Sequence, residues 1–338
     1  MIKSRYYHDR LTVTEQKLYD EIYSGMMRMA EQIRLSVTSF PDDVMMEHIY
    51  RAIRYDDPAL FFIGGRYRLL QKGNEISIFP EYTYSRARVN EINVNISRKA
   101  SELLSAVCNR AGRDAVEREK QLYLYFQRNF QYHQAAVGNA GVYPDSYTLL
   151  GPLFDKKAVC EGFSKAYMFL MNAMDINCIC VSGKARRKGS TSQGHQWNIV
   201  WHNGKTYHTD VTWGISEVRG ENYDYLDISD ESIRLDHMDY YGVPGCSHKD
   251  LEYFGNKARI ISSERELDGI LKTALKHRQE KVEFRLAPAM CKGSTNTTIQ
   301  NISEKTINIY RQLSNGAISV RVTSPEGSGI IRLDLKYT

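Results

Sequence analysis

The chain has 338 residues, 42% hydrophobic and 25% charged, a composition that excludes global disorder and allows one to three domains. Lysine and arginine (45) outnumber aspartate and glutamate (40) only slightly, which excludes the electrostatic footprint of a nucleic-acid binder. No run approaches the ~18 apolar residues needed to cross a bilayer. The N-terminal MIKSRYYHDRLTVTEQ has neither an apolar segment nor a small-residue cleavage site. These features predict a cytoplasmic protein without membrane contact. Its six cysteines, Cys108, Cys160, Cys178, Cys180, Cys246 and Cys291, contain no CxxC pair and read as free thiols.

Thr12 and Glu15 have the spacing of a capping box, ahead of a helical stripe at Leu18, Ile22, Met26, Met29 and Ile33. A second helix is expected over Pro41–Arg54. RYRLLQKGNEISIFPEYTYS reads as a hairpin turning near Gly73-Asn74. Two helices follow, around Arg98–Ala111 and Asp114–Phe130, and then a loop over Tyr143–Gly151. Cys160–Met174 reads as a helix with Phe163, Ala166, Tyr167, Leu170, Met171 and Met174 on its apolar face. INCICVSG is a short buried strand and KARRKGSTSQG a polar loop. HQWNIVW and KTYHTDV are strands joined through Asn203-Gly204, a strong hairpin signal. Beyond Pro244 come a helix near Ser263–Lys276 and the β-like runs KVEFRLA, AISVRVT and IIRLDLKY. The organisation expected is an N-terminal helical and hairpin region (1–112), a core (113–243) and a small C-terminal α/β appendage (244–338).

Chemistry concentrates in the core. Cys160 is placed at a predicted helix N-terminus, where unpaired N–H groups and the helix dipole favour thiolate. Position alone is weak evidence, because free cysteines are more often buried and structural. The hairpin adds the rest. If Asn203-Gly204 is a two-residue turn, His202 pairs with Lys205 and residue 210 lies opposite residue 197. His195, Trp197, Ile199 and Trp201 then share a face with Thr206, His208, Asp210 and Thr212. His195 and Asp210 become diagonal neighbours, about 7–8 Å apart at Cα. Imidazole and carboxylate can close that gap, giving the base and orienter of a Cys-His-Asp triad. The tryptophans on that face predict a cover, and the Cys160 helix is the expected one.

The blocks Cys160-Glu161-Gly162-Phe163, His195-Gln196-Trp197-Asn198 and Asp210-Val211-Thr212-Trp213, in this order, resemble the core of transglutaminase-like proteins. The motif-bearing region runs from about Lys156 to Trp213. The resemblance implies an α+β, papain-like fold, with a nucleophile helix on an antiparallel sheet whose strands carry His195 and Asp210. It implies Cys160 as nucleophile, His195 as general base and Asp210 as orienter, without a cofactor.

Other residues read less sharply. The Cys160 N–H is the default oxyanion donor, and the segment GPLFDKKAV before it lacks the glutamine that papain-like proteins often use as the second. Gly162 permits close approach of backbone or substrate. Trp197 and Trp213 are candidate substrate contacts, although the strand register sends Trp213, like Asn198, away from the Asp210 face and favours packing. The basic run Lys184–Lys188 reads first as a solvated loop; Arg186 and Arg187 within it are candidates for a lip that attracts acidic substrates. His208 shares the His195 face, but these spacings do not compose a zinc site, and no metal is expected.

The expected function is cysteine-dependent acyl transfer on a protein or peptide substrate, with water rather than an amine as acceptor. The alternatives are an amine-accepting transglutaminase and a catalytically silent binding module. A peptide:N-glycanase-like activity is disfavoured, because the CxxC zinc site that accompanies it is absent from the sequence.

Overall fold

The computed structural model describes residues 5–37, 39–186, 191–216, 222–253, 260–291, 293–324 and 329–338. The chain divides into two compact units. The first comprises Met1–Gly183, Gly194–Leu226 and Tyr240–Gly245; the second comprises Lys184–Gln193, Asp227–Asp239 and Cys246–Thr338. Among the described residues no helix is long and apolar enough to cross a membrane.

The first unit begins with α1 (Val13–Met27), β1 (Ile33–Leu35), α2 (Asp43–Asp56), β2 (Ile63–Lys72), β3 (Glu75–Tyr82), α3 (Arg86–Ala111) and α4 (Ala115–Asn129). The Thr12–Glu15 capping box is present at α1. The stripe predicted beyond it breaks, however. Met29 adopts a left-handed φ of 48°, the helix stops at Met27, and Ile33 lies on β1 instead. Gly25 makes the return possible, since a Cβ there would meet the Ile33 side chain at 2.4 Å. Asp42 and Asp114 cap α2 and α4. The β2–β3 hairpin pairs Lys72 with Glu75, as its Gly73-Asn74 turn predicts.

Next come β4 (Gln131–Tyr132), β5 (Lys157–Ala158), α5 (Cys160–Ala173), β6 (Cys178–Ala185), β7 (Gln193–His202), β8 (Lys205–Thr209) and α6 (Val211–Ser216). Asn203 and Gly204 both take positive φ (51° and 75°), and the β7–β8 ladder pairs His202 with Lys205 through Asn198 with Thr209. That is the register the turn predicts. The strand ends sooner than the sequence alternation suggests: Asp210 leaves β8, and Val211–Ser216 is helical.

α5 is apolar along most of its length, with Phe163, Ala166, Tyr167, Leu170 and Met171 fully buried. It covers the sheet face bearing Cys178, Cys180, Asn198 and Val200, not the Trp197 face expected from the sequence. Both faces of this hairpin are buried, so alternation alone cannot say which one meets the helix. The register between helix and sheet is set by polar clamps. The Asn198 side-chain amide donates to the Ser164 carbonyl on α5 (3.0 Å) and the Ile179 carbonyl on β6 (3.1 Å). Ser164 Oγ donates to the Trp197 carbonyl (2.8 Å).

The second unit holds α7 (Asp230–Ile233), β9 (His237–Met238), β10 (Ile260–Ile261), α8 (Glu264–Lys276), β11 (Lys281–Leu286), α9 (Thr295–Leu313), β12 (Ile318–Thr323) and β13 (Ile330–Tyr337). Its sheet runs β10-β11-β13-β12 and buries a core of Leu267, Leu271, Phe284, Ile331 and Leu333 with Ile302, Ile309 and Tyr310 from α9. The 19-residue α9 has no counterpart in the sequence reading. Its threonines, isoleucines and asparagines have low helix propensity, and packing overrides it.

Replacing Asn198 with alanine removes two buried hydrogen bonds at the helix–sheet junction and should destabilise the protein by about 2 kcal/mol. Urea unfolding measures this as a lower midpoint with an unchanged slope.

Candidate active site

Cys160 occupies the first position of α5 and is only partly buried, whereas Gly162 to Met168 behind it are buried. The entry to the helix is held by backbone. Val159 N–H donates to the Ser146 carbonyl (3.1 Å), and His133 N–H to the Ala158 carbonyl (2.9 Å). Gly162 faces the same loop: a Cβ would sit 2.3 Å from the Ser146 carbonyl oxygen and 2.9 Å from that of Thr148. Its lack of a side chain therefore admits the chain's own backbone, and the substrate contact considered for Gly162 is not available.

Glu161, beside the cysteine, would oppose a thiolate if its charge were bare. It is paired instead with Lys165 and Arg54, each at 2.7 Å. Burial favours its neutral form, but the charges of Lys165 and then Arg54 outweigh burial and hold its carboxyl below the usual range.

His195 Nε2 lies 2.7 Å from Asp210 Oδ2, with His195 8% exposed and Asp210 fully buried. Asp210 Oδ1 accepts the backbone N–H groups of Thr212 (2.8 Å) and Trp213 (3.1 Å), capping α6. The Asp210 N–H donates to the Tyr225 carbonyl (2.8 Å). Cys160 is close enough to the imidazole to act on it electrostatically. Burial disfavours the imidazolium, yet the Asp210 charge and hydrogen bond, with Cys160, raise the His195 pKa from 6.5 to about 10. At neutral pH the histidine beside Cys160 is therefore charged.

The structure thus brings Cys160, His195 and Asp210 together. It treats the remaining candidates differently. Trp213 lies on α6 rather than on a strand, so the alternation that turned it away does not apply. Its ring sits 5.9 Å from that of His195. Trp197 stacks near the imidazole at 6.0 Å but is 1% exposed, with its indole N–H donated to His208 Nδ1 (3.0 Å). It supports the imidazole from beneath, and the substrate contact considered for it is not available. Tyr240 packs edge-on against Trp197 at 5.2 Å on the face expected to meet α5. Arg186 is exposed and belongs to the second unit. Arg187 lies outside the described residues. Tyr132, next to the strand that leads into Cys160, carries no sequence signal of its own, since a two-residue strand is too short to show alternation.

Residues 102–213 match the sequence model of the transglutaminase-like superfamily. No curated protein matches the chain. Among solved structures, one described as a TGase is similar at 16% identity, with a TM-score of 0.30, covering 56% of this chain and 53% of that one. A second, named a "putative cysteine protease" from Cytophaga hutchinsonii, is similar at 10% identity and a TM-score of 0.28, covering 52% of this chain and 66% of that one. The chain therefore spans about half and just under two thirds of these relatives' lengths.

Gly162→Ala should displace the 146–148 backbone and cost roughly 1–3 kcal/mol of stability, as overpacking of a filled site does. Equilibrium unfolding checks the loss, and slower alkylation of Cys160 in the folded variant would report the accompanying shift of the helix entry.

Proposed function

We propose that the domain is a cysteine-dependent acyl-transfer enzyme that hydrolyses a peptide or side-chain amide through an acyl-thioester on Cys160. The observation that carries this reading is a partly exposed thiol at a helix N-terminus, beside a buried histidine that Asp210 holds in its charged form. In this reading the Cys160 thiolate attacks the carbonyl carbon, and the His195 imidazolium gives its proton to the departing amine. The neutral imidazole then takes a proton from water as that water attacks the thioester. Asp210 keeps its charge throughout and fixes the ring. Water is the acceptor in this reading, because water is always present and amine transfer demands a second, shaped site.

The other thiols supply internal controls. Cys178, Cys180 and Cys246 are fully buried, while Cys291 is exposed with its pKa raised chiefly by burial. Iodoacetamide near neutral pH should alkylate Cys160 ahead of Cys291. His195→Ala should slow Cys160 alkylation by about 100-fold, the low end of general-base contributions. Peptide mapping by mass spectrometry reads both rates; alkylation of Cys160 no faster than of Cys291 would favour a silent binding module. Amine incorporation in place of hydrolysis would redirect the reading to a transglutaminase.

A further inference from the structure

β4 runs parallel to β5, the two residues that lead into the nucleophile helix. Gln131 pairs with Lys157 and Tyr132 with Ala158. Gln131 N–H donates to the Lys156 carbonyl (3.0 Å), and His133 N–H to that of Ala158 (2.9 Å). Tyr132 is thereby fixed beside the backbone two positions before Cys160. Its ring is half-buried and packs on the core of the first unit. Among the described residues its hydroxyl makes no hydrogen bond to the protein, and it is not one of the buried, unsatisfied hydroxyls, so it is open to a bound group. Burial first, then its nearness to Cys160, Tyr147 and Asp210, pushes its pKa up to about 12. The phenol therefore stays protonated and can donate, within electrostatic reach of the thiol and the carboxylate.

Nearby hydroxyls are already committed. Tyr147 donates to the Ala136 carbonyl (2.6 Å) and accepts from Gly138 N–H (3.1 Å). Tyr84 donates to Asp145, and Ser146 is paired with His133 (2.8 Å). A tetrahedral intermediate on Cys160 needs donors for its oxyanion. The Cys160 N–H supplies one, and the segment GPLFDKKAV ahead of it holds no glutamine for the second.

We propose that the Tyr132 hydroxyl is the second oxyanion donor of the Cys160 site. The assignment rests on the reading of Cys160 as nucleophile. As the S–C bond forms, the carbonyl π pair moves to oxygen, and Tyr132 donates a hydrogen bond to that oxygen while keeping its proton. On collapse the pair returns, the C–N bond breaks, and the amine leaves with the proton from His195. Tyr132 is neutral at the start and at the end, so no further co-reactant is required.

Two probes separate this role from a structural one. p-Nitrophenyl acetate acylates a thiolate through an oxyanion, whereas iodoacetamide alkylates it at a saturated carbon and forms none. Tyr132→Phe keeps the packed ring and removes only the hydroxyl. It should slow acylation of Cys160 by about 100-fold, the loss expected for one oxyanion donor, while alkylation stays within about twofold of wild type. Equal loss of both rates would mean that Tyr132 shapes the Cys160–His195 pair instead, and unchanged acylation would mean that it does not touch the oxyanion; either overturns the assignment. If wild-type Cys160 itself alkylates no faster than Cys291, the nucleophile reading fails, and this assignment falls with it.

Discussion

The site depends on one carboxylate with two separate sets of partners. Asp210 Oδ1 is saturated by the N–H groups that open α6, and this fixes the plane and direction of the group. Oδ2 is thereby aimed at His195 Nε2, 2.7 Å away. An imidazole in that position is held in one orientation and stabilised as a cation. Neither link would suffice alone. Without the cap the carboxylate could rotate away from the ring; without the histidine a fully buried carboxylate would lack a charge partner, which is costly.

Holding Cys160 against that ring is a task for the scaffold. Glu119 on α4 is fully buried and accepts hydrogen bonds from Tyr167 on α5 (3.0 Å) and Thr209 on β8 (2.9 Å). It also pairs with His202 on β7. With the Asn198 and Ser164 clamps, these bonds tie the nucleophile helix to both strands of the hairpin. A one-residue slip of either strand would send its side chains to the opposite face, so the clamps also enforce the register on which the site depends. Aromatic packing of Phe126, Phe130 and Phe163 against one another completes the join between α4 and α5.

Much of this was legible in the sequence because short-range rules govern it. The Asn203-Gly204 turn has one favoured geometry, and from it the pairing of the whole hairpin follows. The capping box of α1 is equally local. The failures lie where longer-range contacts decide. Alternation carried past Thr209 misplaced Trp213, because Asp210 serves better as a helix cap than as a strand residue. Burial of both hairpin faces hid which one α5 would cover. Tyr132 was invisible because its importance comes from a parallel pairing with residues 26 positions downstream, between Tyr132 and Ala158. α9 was missed because its sequence is poor in strong helix formers and gains its order from the sheet beneath it.

The central claim is that Asp210 keeps His195 charged opposite Cys160. Nitrogen-15 NMR of histidine-labelled protein reads this directly. A raised pKa means that the proton is held as pH climbs through the ordinary range and lost only near about 10. At about pH 8, well above the ordinary value of ~6.5, the account predicts both ring nitrogens of His195 protonated. In Asp210→Asn, which keeps an oxygen to cap α6, the imidazole should be neutral at that pH. A wild-type His195 that is neutral at about pH 8, or one whose protonation is unaffected by Asp210→Asn, would contradict it.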